Sequence, residues 1–198
     1  MKTPALFLDS DGTINEEVDF LTNPDHIHLL PGAAAALRDA RQAGYKIFII
    51  TNQSGIARGL LTEERLGEIH TALLLQLKNE QVTIDGIYYC PHHPDFGEPP
   101  YRKDCNCRKP KTGMIEDAAK KFDLDLARSY IVGDRMIDIQ AGNAAGIPAI
   151  LVLTGYGRDE LEMCKKSGAA LSFVAQDLAD AIRHIRQSVH QHAAAHSS

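Results

Sequence analysis

No stretch of this 198-residue chain is apolar for long enough to cross a bilayer. Its opening residues, Met1-Lys2-Thr3-Pro4, lack the apolar run of a secretory signal, so a cytoplasmic location is expected. Basic residues are in deficit, 21 against 26 acidic, and the net charge of -5 argues against general affinity for nucleic acid or an anionic membrane. Internal repeats are lacking. So is any Gly-x-x-x-x-Gly-Lys-Ser/Thr loop, which excludes nucleotide hydrolysis by that route. Cysteine is sparse: of four, Cys90, Cys105 and Cys107 crowd into one segment and Cys164 stands apart. In a reducing compartment such a group is expected to bind metal rather than form disulfides.

What the chain does contain is a regular alternation. Short apolar runs at 5–8, 45–50, 86–89, 130–133, 149–153 and 171–174 read as buried strands. Between them, 32–43 reads as a helix closed by Gly44, and Thr62 as the N-cap of a helix with the stripe Leu66, Ile69, Leu73, Leu74 and Leu77. Further helices are expected around Ile115, Ala118, Ala119 and Phe122, over 137–145 and over 177–189. Strand-helix alternation predicts an α/β fold: a mostly parallel, Rossmann-like sheet with helices on both faces. At this length one domain is expected, spanning 1–190, with a frayed tail at 191–198. Only 90–111 shows no period, and its prolines mark a long loop of the kind that serves function or is stapled. Met114, Met136 and Met163 read as core filler, and Cys164 as a surface or helix thiol.

The first strand runs into Asp9-Ser10-Asp11-Gly12-Thr13. On an extended segment Asp9 and Asp11 project the same way and Ser10 the opposite way, while Gly12 permits a sharp turn. Two carboxylates that close call for a cation, a shared proton, or both. In parallel sheets, ligands sit beyond the carboxyl ends of strands. Three more polar clusters fall at such places: Thr51-Asn52-Gln53-Ser54-Gly55, Arg108-Lys109 and Gly133-Asp134. A bare turn-capping role for Asp9 and Asp11 would not call for the other three. An EF-hand loop fails because Gly12 comes too early.

The second constellation is Cys90-Pro91-His92, twelve intervening residues, then Cys105-Asn106-Cys107. Three thiolates and an imidazole complete a tetrahedral zinc set with no open position, so the metal is expected to be structural, with His93 a rival to His92. Closing that loop would fix where Arg108 and Lys109 point. From Arg102 to Lys111 there are five cations (Arg102, Lys103, Arg108, Lys109, Lys111) against Asp104 alone. That balance suits a substrate with a second phosphate and disfavours one carrying an amine.

Asp-x-Asp-Gly-Thr, a hydroxyl residue ending a strand, a lysine, and then Gly133-Asp134 with Asp138 resemble, in order, the haloacid dehalogenase superfamily of phosphatases. The loop Cys-x-His-x12-Cys-x-Cys-Arg-Lys-Pro, with Thr-Asn-Gln-Ser-Gly-Ile-Ala-Arg-Gly at 51–59, is similar to its heptose-bisphosphate phosphatase branch. Histidinol-phosphate phosphatases, which share the zinc ligands, are the neighbouring branch. The resemblance implies no large cap domain. It implies Asp9 as nucleophile, Asp11 as acid and base, and Thr51 and Lys109 on the phosphoryl oxygens. Mg²⁺ would be held by Asp9, the Asp11 main-chain carbonyl and Asp134, and Zn²⁺ by Cys90, His92, Cys105 and Cys107. Asn52, Gln53, Ser54, Arg108 and Arg135 would meet a small phosphorylated sugar, with the chain acting as a monomer. Two positions depart from that branch: Ser10 stands where arginine is common, and Arg135 where lysine is common. A zinc-stapled interaction module on an inactive phosphatase fold would lack a catalytic residue, and none is missing.

Overall fold

A computed structural model of the chain describes residues 2–195, with side chains through Ser188. Twelve regular elements alternate along the described residues, apart from two short 3-10 turns. They are β1 (Ala5–Leu8), α1 (Ala33–Gln42), β2 (Lys46–Asn52), α2 (Glu63–Asn79), β3 (Gly86–Cys90), α3 (Gly113–Phe122), β4 (Tyr130–Gly133), α4 (Met136–Ala145), β5 (Ala149–Val152), α5 (Gly157–Ser167) and β6 (Phe173–Ala175), and the chain closes with α6 (Leu178–Ala195). The six strands form one parallel sheet in the order β3-β2-β1-β4-β5-β6.

Alternation along each strand divides the core in two. Leu6, Leu8, Ile47, Ile49 and Val132 pack with α1, α2 and α6, while Ala5, Phe7, Phe48, Ile50 and Ile131 pack with α3, α4 and α5. Buried on both faces, the strands read as continuous apolar runs. Phe48 anchors the second layer, with its ring 5.7 Å from Phe7 and 4.9 Å from Phe122. Helix signals in the sequence are realised at α1, closed by Gly44 at φ 89°, and at α2, where the Thr62 hydroxyl accepts from the Arg65 N–H.

Several expectations are corrected. Helix α5 carries only Leu161 and Cys164 as apolar contacts to the core, so its apolar stripe is too thin to register as a period. Cys164 is fully buried on that helix, not at the surface, whereas Met163 beside it is 46% exposed and fills no core. Leu74 faces outward from the α2 stripe. Helix α6 runs to Ala195, into the tail expected to fray, because its alanines are strong helix formers; residues 196–198 of that tail lie outside the described residues. No helix among the described residues is long and apolar enough to cross a membrane.

The sheet order reverses between β1 and β4, which start crossovers in opposite directions. A crevice opens beyond their carboxyl ends, the place where ligands bind in open α/β sheets. Two long excursions border it: residues 9–32 after β1 and residues 91–112 after β3.

Candidate active site

Asp9 follows β1 and Asp134 follows β4, so strand pairing itself brings them together: the Asp9 N–H donates to the Val132 carbonyl at 3.1 Å. Carboxylate oxygens of Asp9, Asp134 and Asp138 lie within 4.8 Å of one another, and all three residues are buried. Between them enters Lys109. Its Nζ lies 3.0 Å from Asp9 Oδ1 and 2.6 Å from Asp138 Oδ1, and donates to the Ile50 carbonyl at 2.7 Å. Burial alone would lower the lysine's pKa, but Asp138 and Asp9 more than offset it and keep Lys109 charged.

One positive charge does not balance three carboxylates. Burial, with Asp9 and Asp138 nearby, pushes Asp134 up to about 8. Its Oδ2 accepts from the Tyr156 N–H at 2.8 Å, yet its Oδ1 is buried without a partner. An orphaned buried carboxylate oxygen beside a second carboxylate is what a hard divalent cation satisfies. Asp138 is already engaged, with Oδ1 on Lys109 and Oδ2 accepting from the Arg135 N–H at 3.1 Å, and that leaves Asp134 and Asp9 for the ion. Gly12 and Gly155 form the wall: a Cβ on either would sit 2.2 Å from Asp134 Oδ2. The residues present therefore fit Mg²⁺.

Asp11 stands apart from this cluster. Its Oδ1 accepts from Asn15 Nδ2 at 2.8 Å, and its Oδ2 from Ser10 Oγ at 3.1 Å and Gln53 Nε2 at 3.3 Å. Burial, and less so Asp9, raises its pKa in spite of those bonds. Ser10 does not face away, as strand alternation suggested: its hydroxyl also reaches Thr51 Oγ1 at 3.1 Å, and its N–H donates to Asp9 Oδ1 at 2.9 Å. The reason is that β1 stops at Leu8, and the N–H groups of Thr13, Ile14 and Asn15 all fold back onto the Ser10 carbonyl. Thr51 is buried at the end of β2 and receives a second donor from Gln53 Nε2 at 3.1 Å. Asn52 is not turned to a ligand either. Its amide clasps the Lys109 main chain in both directions, at 3.0 Å each way. The Ser54 side chain makes no hydrogen bond among the described residues.

The cysteine loop gathers as the spacing implied. Sγ–Sγ separations among Cys90, Cys105 and Cys107 are 3.3 to 3.5 Å, and His92 Nδ1 lies 3.4 Å from Cys107 Sγ and 3.7 Å from Cys90 Sγ. His93 is excluded: its Nδ1 accepts from the Asp95 N–H and its ring tilts against Phe96. Four soft ligands at the corners of so small a polyhedron fit a tetrahedral metal ion. Glu63 at the start of α2 ties the loop down, accepting from Tyr89 and Tyr101 hydroxyls at 2.7 Å each. The Arg108 guanidinium donates to the His92 carbonyl at 3.1 Å, the one side-chain hydrogen bond it makes among the described residues.

Beside the carboxylates a cleft of about 470 Å³ is lined by Glu16, Glu17, Asp19, Leu30, Gly155 and Tyr156. Arg135 lies over the Tyr156 ring at 4.8 Å, with its Nε 3.6 Å from Glu160 Oε1. Burial, with Asp11 and Asp9 close by, lifts Glu17 to about 7. Glu160, on the unforeseen α5, also accepts from the Met136 N–H at 2.9 Å and so fixes the start of α4. The acidic first turn and basic last turn of α5, closed by Gly168, were the available signal for it.

A parallel sheet in this order, with an Asp-x-Asp turn, a buried lysine and a second acidic pair at the switch point, defines a haloacid dehalogenase-like hydrolase. A family model described as HAD-hydrolase-like matches residues 106–181. The chain is 39% identical over 178 residues, 89% of its length and 92% of the relative's, to a D-glycero-beta-D-manno-heptose-1,7-bisphosphate 7-phosphatase of Yersinia pestis. It is 42% identical over 153 residues (77% and 81%) to the enzyme of that name from Photorhabdus laumondii. Among solved structures, D,D-heptose 1,7-bisphosphate phosphatase from B. bronchiseptica, complexed with magnesium and phosphate, superimposes with a TM-score of 0.82 at 37% identity, covering 93% of this chain and 99% of that one. The Burkholderia thailandensis enzyme gives 0.67 at 30% identity, covering 91% and 97%. The chain belongs to the heptose-1,7-bisphosphate 7-phosphatase family, and it is a phosphatase.

Proposed function

We propose that the protein removes the 7-phosphate from D-glycero-β-D-manno-heptose 1,7-bisphosphate by way of a phosphoryl group carried on Asp9, in the supply of heptose for lipopolysaccharide. The observation that carries this reading is the convergence of Asp9, Lys109 and Asp134 on one point beside an orphaned carboxylate oxygen. Lys109 and the Ser10 N–H both hold Asp9 Oδ1, which leaves Oδ2 to attack phosphorus. Asp11, kept protonated more readily than an exposed carboxyl, gives its proton to the departing sugar oxygen. The same group then takes a proton from the water that hydrolyses the phosphoryl-enzyme. Thr51 and Lys109 face the phosphoryl oxygens, and Gln53 keeps Thr51 and Asp11 in register. A bound Mg²⁺ would be held by Asp9, Asp134 and the Asp11 carbonyl and supplies positive charge against those oxygens. Ser54 supplies a further hydroxyl at the same loop.

The Cys90, His92, Cys105 and Cys107 site holds Zn²⁺ structurally, because all four positions are taken by protein. Arg108, held on the His92 carbonyl, and Arg135, over the Tyr156 ring, receive the phosphate that stays on the sugar. Glu17 and the open acidic cleft receive sugar hydroxyls. The domain spans 1–190, and the protein works as a cytoplasmic monomer on a small phosphorylated sugar, without nucleic acid or membrane. The deciding measurement compares kcat/KM, with Mg²⁺ present, for both heptose bisphosphate anomers, fructose 1,6-bisphosphate and histidinol phosphate. A preference for the β-heptose bisphosphate is expected; a preference for histidinol phosphate would replace the substrate assignment.

A further inference from the structure

A small, partly open cavity of about 10 Å³ lies against the Asp11 side chain, with Ser10, Asn15, Gln53 and His70 as its other polar walls. Apolar side chains of α2 and of the segment before α1 line the remainder. That volume is the room needed by one water molecule. The Nε2 atom of His70 is buried and has no hydrogen-bond partner, an arrangement that persists in proteins when a water completes it. Burial holds the imidazole neutral, with its pKa down at about 4, and its ring is braced against Tyr89 at 5.6 Å.

We infer that a single water fills this cavity and links His70 Nε2 to the Asp11, Asn15 and Gln53 network, making His70 a positioning residue for the Asp11 carboxyl. A neutral imidazole either donates to that water or accepts from it, and in both tautomers the water keeps a proton to give towards Asp11. The water adds a fourth contact, from a helix, to a carboxyl whose neighbours are otherwise side chains of one loop and one strand end, and so fixes its rotation. Its function is to keep the acidic proton aimed at the sugar oxygen.

The inference rests on Asp11 acting as the acid, so its test separates the two. The step through phosphoryl transfer to Asp9 is read as kcat/KM on two esters: a sugar phosphate, whose leaving oxygen needs a proton, and p-nitrophenyl phosphate, whose leaving group does not. His70→Phe keeps the shape and removes both nitrogens. It is expected to lower kcat/KM for the sugar phosphate about ten-fold while nearly sparing the aryl ester, and His70→Gln to recover most of the loss. A crystal structure of the unaltered protein is expected to show one water within hydrogen-bonding distance of Nε2. An empty cavity, or equal losses on both esters, overturns the role of His70. Asp11→Asn serves as the reference: it must show the same leaving-group selectivity at larger amplitude. If it does and His70→Phe does not, only the His70 inference fails; if Asp11→Asn shows none, the acid assignment itself falls.

Discussion

Replacing Lys109 by methionine keeps the length of the side chain and deletes its charge. In the native structure Nζ sits 3.0 Å from Asp9 and 2.6 Å from Asp138, with 1% of the lysine side chain exposed. Removing one partner of a buried ion pair leaves an uncompensated charge and costs about 3–5 kcal/mol. At about 2–4 °C per kcal/mol for a chain this size, the melting temperature should fall by about 6–20 °C. Adding Asp138→Asn removes the stranded carboxylate and should recover most of that loss. Turnover should stay depressed by about 100- to 1000-fold in both variants, because the phosphoryl oxygens have lost their cation. Melting is followed by circular dichroism in chelator, so that added metal does not stand in for the lysine, and turnover by phosphate release. A single variant that melts within about 2 °C of the parent would refute the reasoning. So would a double variant no more stable than the single.

Metal analysis should return about one tightly held zinc per chain, and Cys107→Ser should release it and lower kcat about a hundredfold without touching Lys109; a metal-free protein of full activity contradicts the staple. Arg108→Ala should reduce kcat/KM for a bisphosphate about ten-fold more than for a small monoester, and equal effects on both remove its phosphate role. Asp134 supplies a pH test. Its ordinary value of 3.8 is raised to about 8 in the fold, so its contribution to stability is full below 3.8 and is lost as pH climbs through 8. Metal-free protein should therefore melt at progressively lower temperature between about pH 4 and 8 and level off above that, and Mg²⁺ should flatten the decline by taking the ionised form; a level metal-free profile across that range argues against the buried carboxylate cluster.

The sheet and five of the six helices were legible because their apolar residues recur at strand or helix spacing. Helix α5 was not, since its buried face is nearly limited to Leu161, Cys164 and the charged Glu160. Site residues at strand ends were readable by position: Asp9, Thr51 and Asp134 project where a parallel sheet places ligands. What a sequence could not display was the partner of each. Ser10 folds inward because the strand ends before it, and Asn52 turns to the Lys109 backbone, a pairing across a sequence separation of 57. His70 lies on α2 with no motif around it, and only the packing of that helix against the Asp11 turn brings it near.

The clasp between Asn52 and Lys109 has a consequence for how this scaffold can change. Register at the lysine is set from two sides, by the cysteine cluster immediately before it and by an amide on a neighbouring strand. The intervening tip around Asp95, Phe96 and Gly97 carries neither anchor. Exchanges at Asp95 leave both anchors in place, whereas Gly97, at φ 83° against the Ala57 carbonyl, admits no side chain, so the atoms that handle phosphorus are insulated from change only at the outermost residue of the tip.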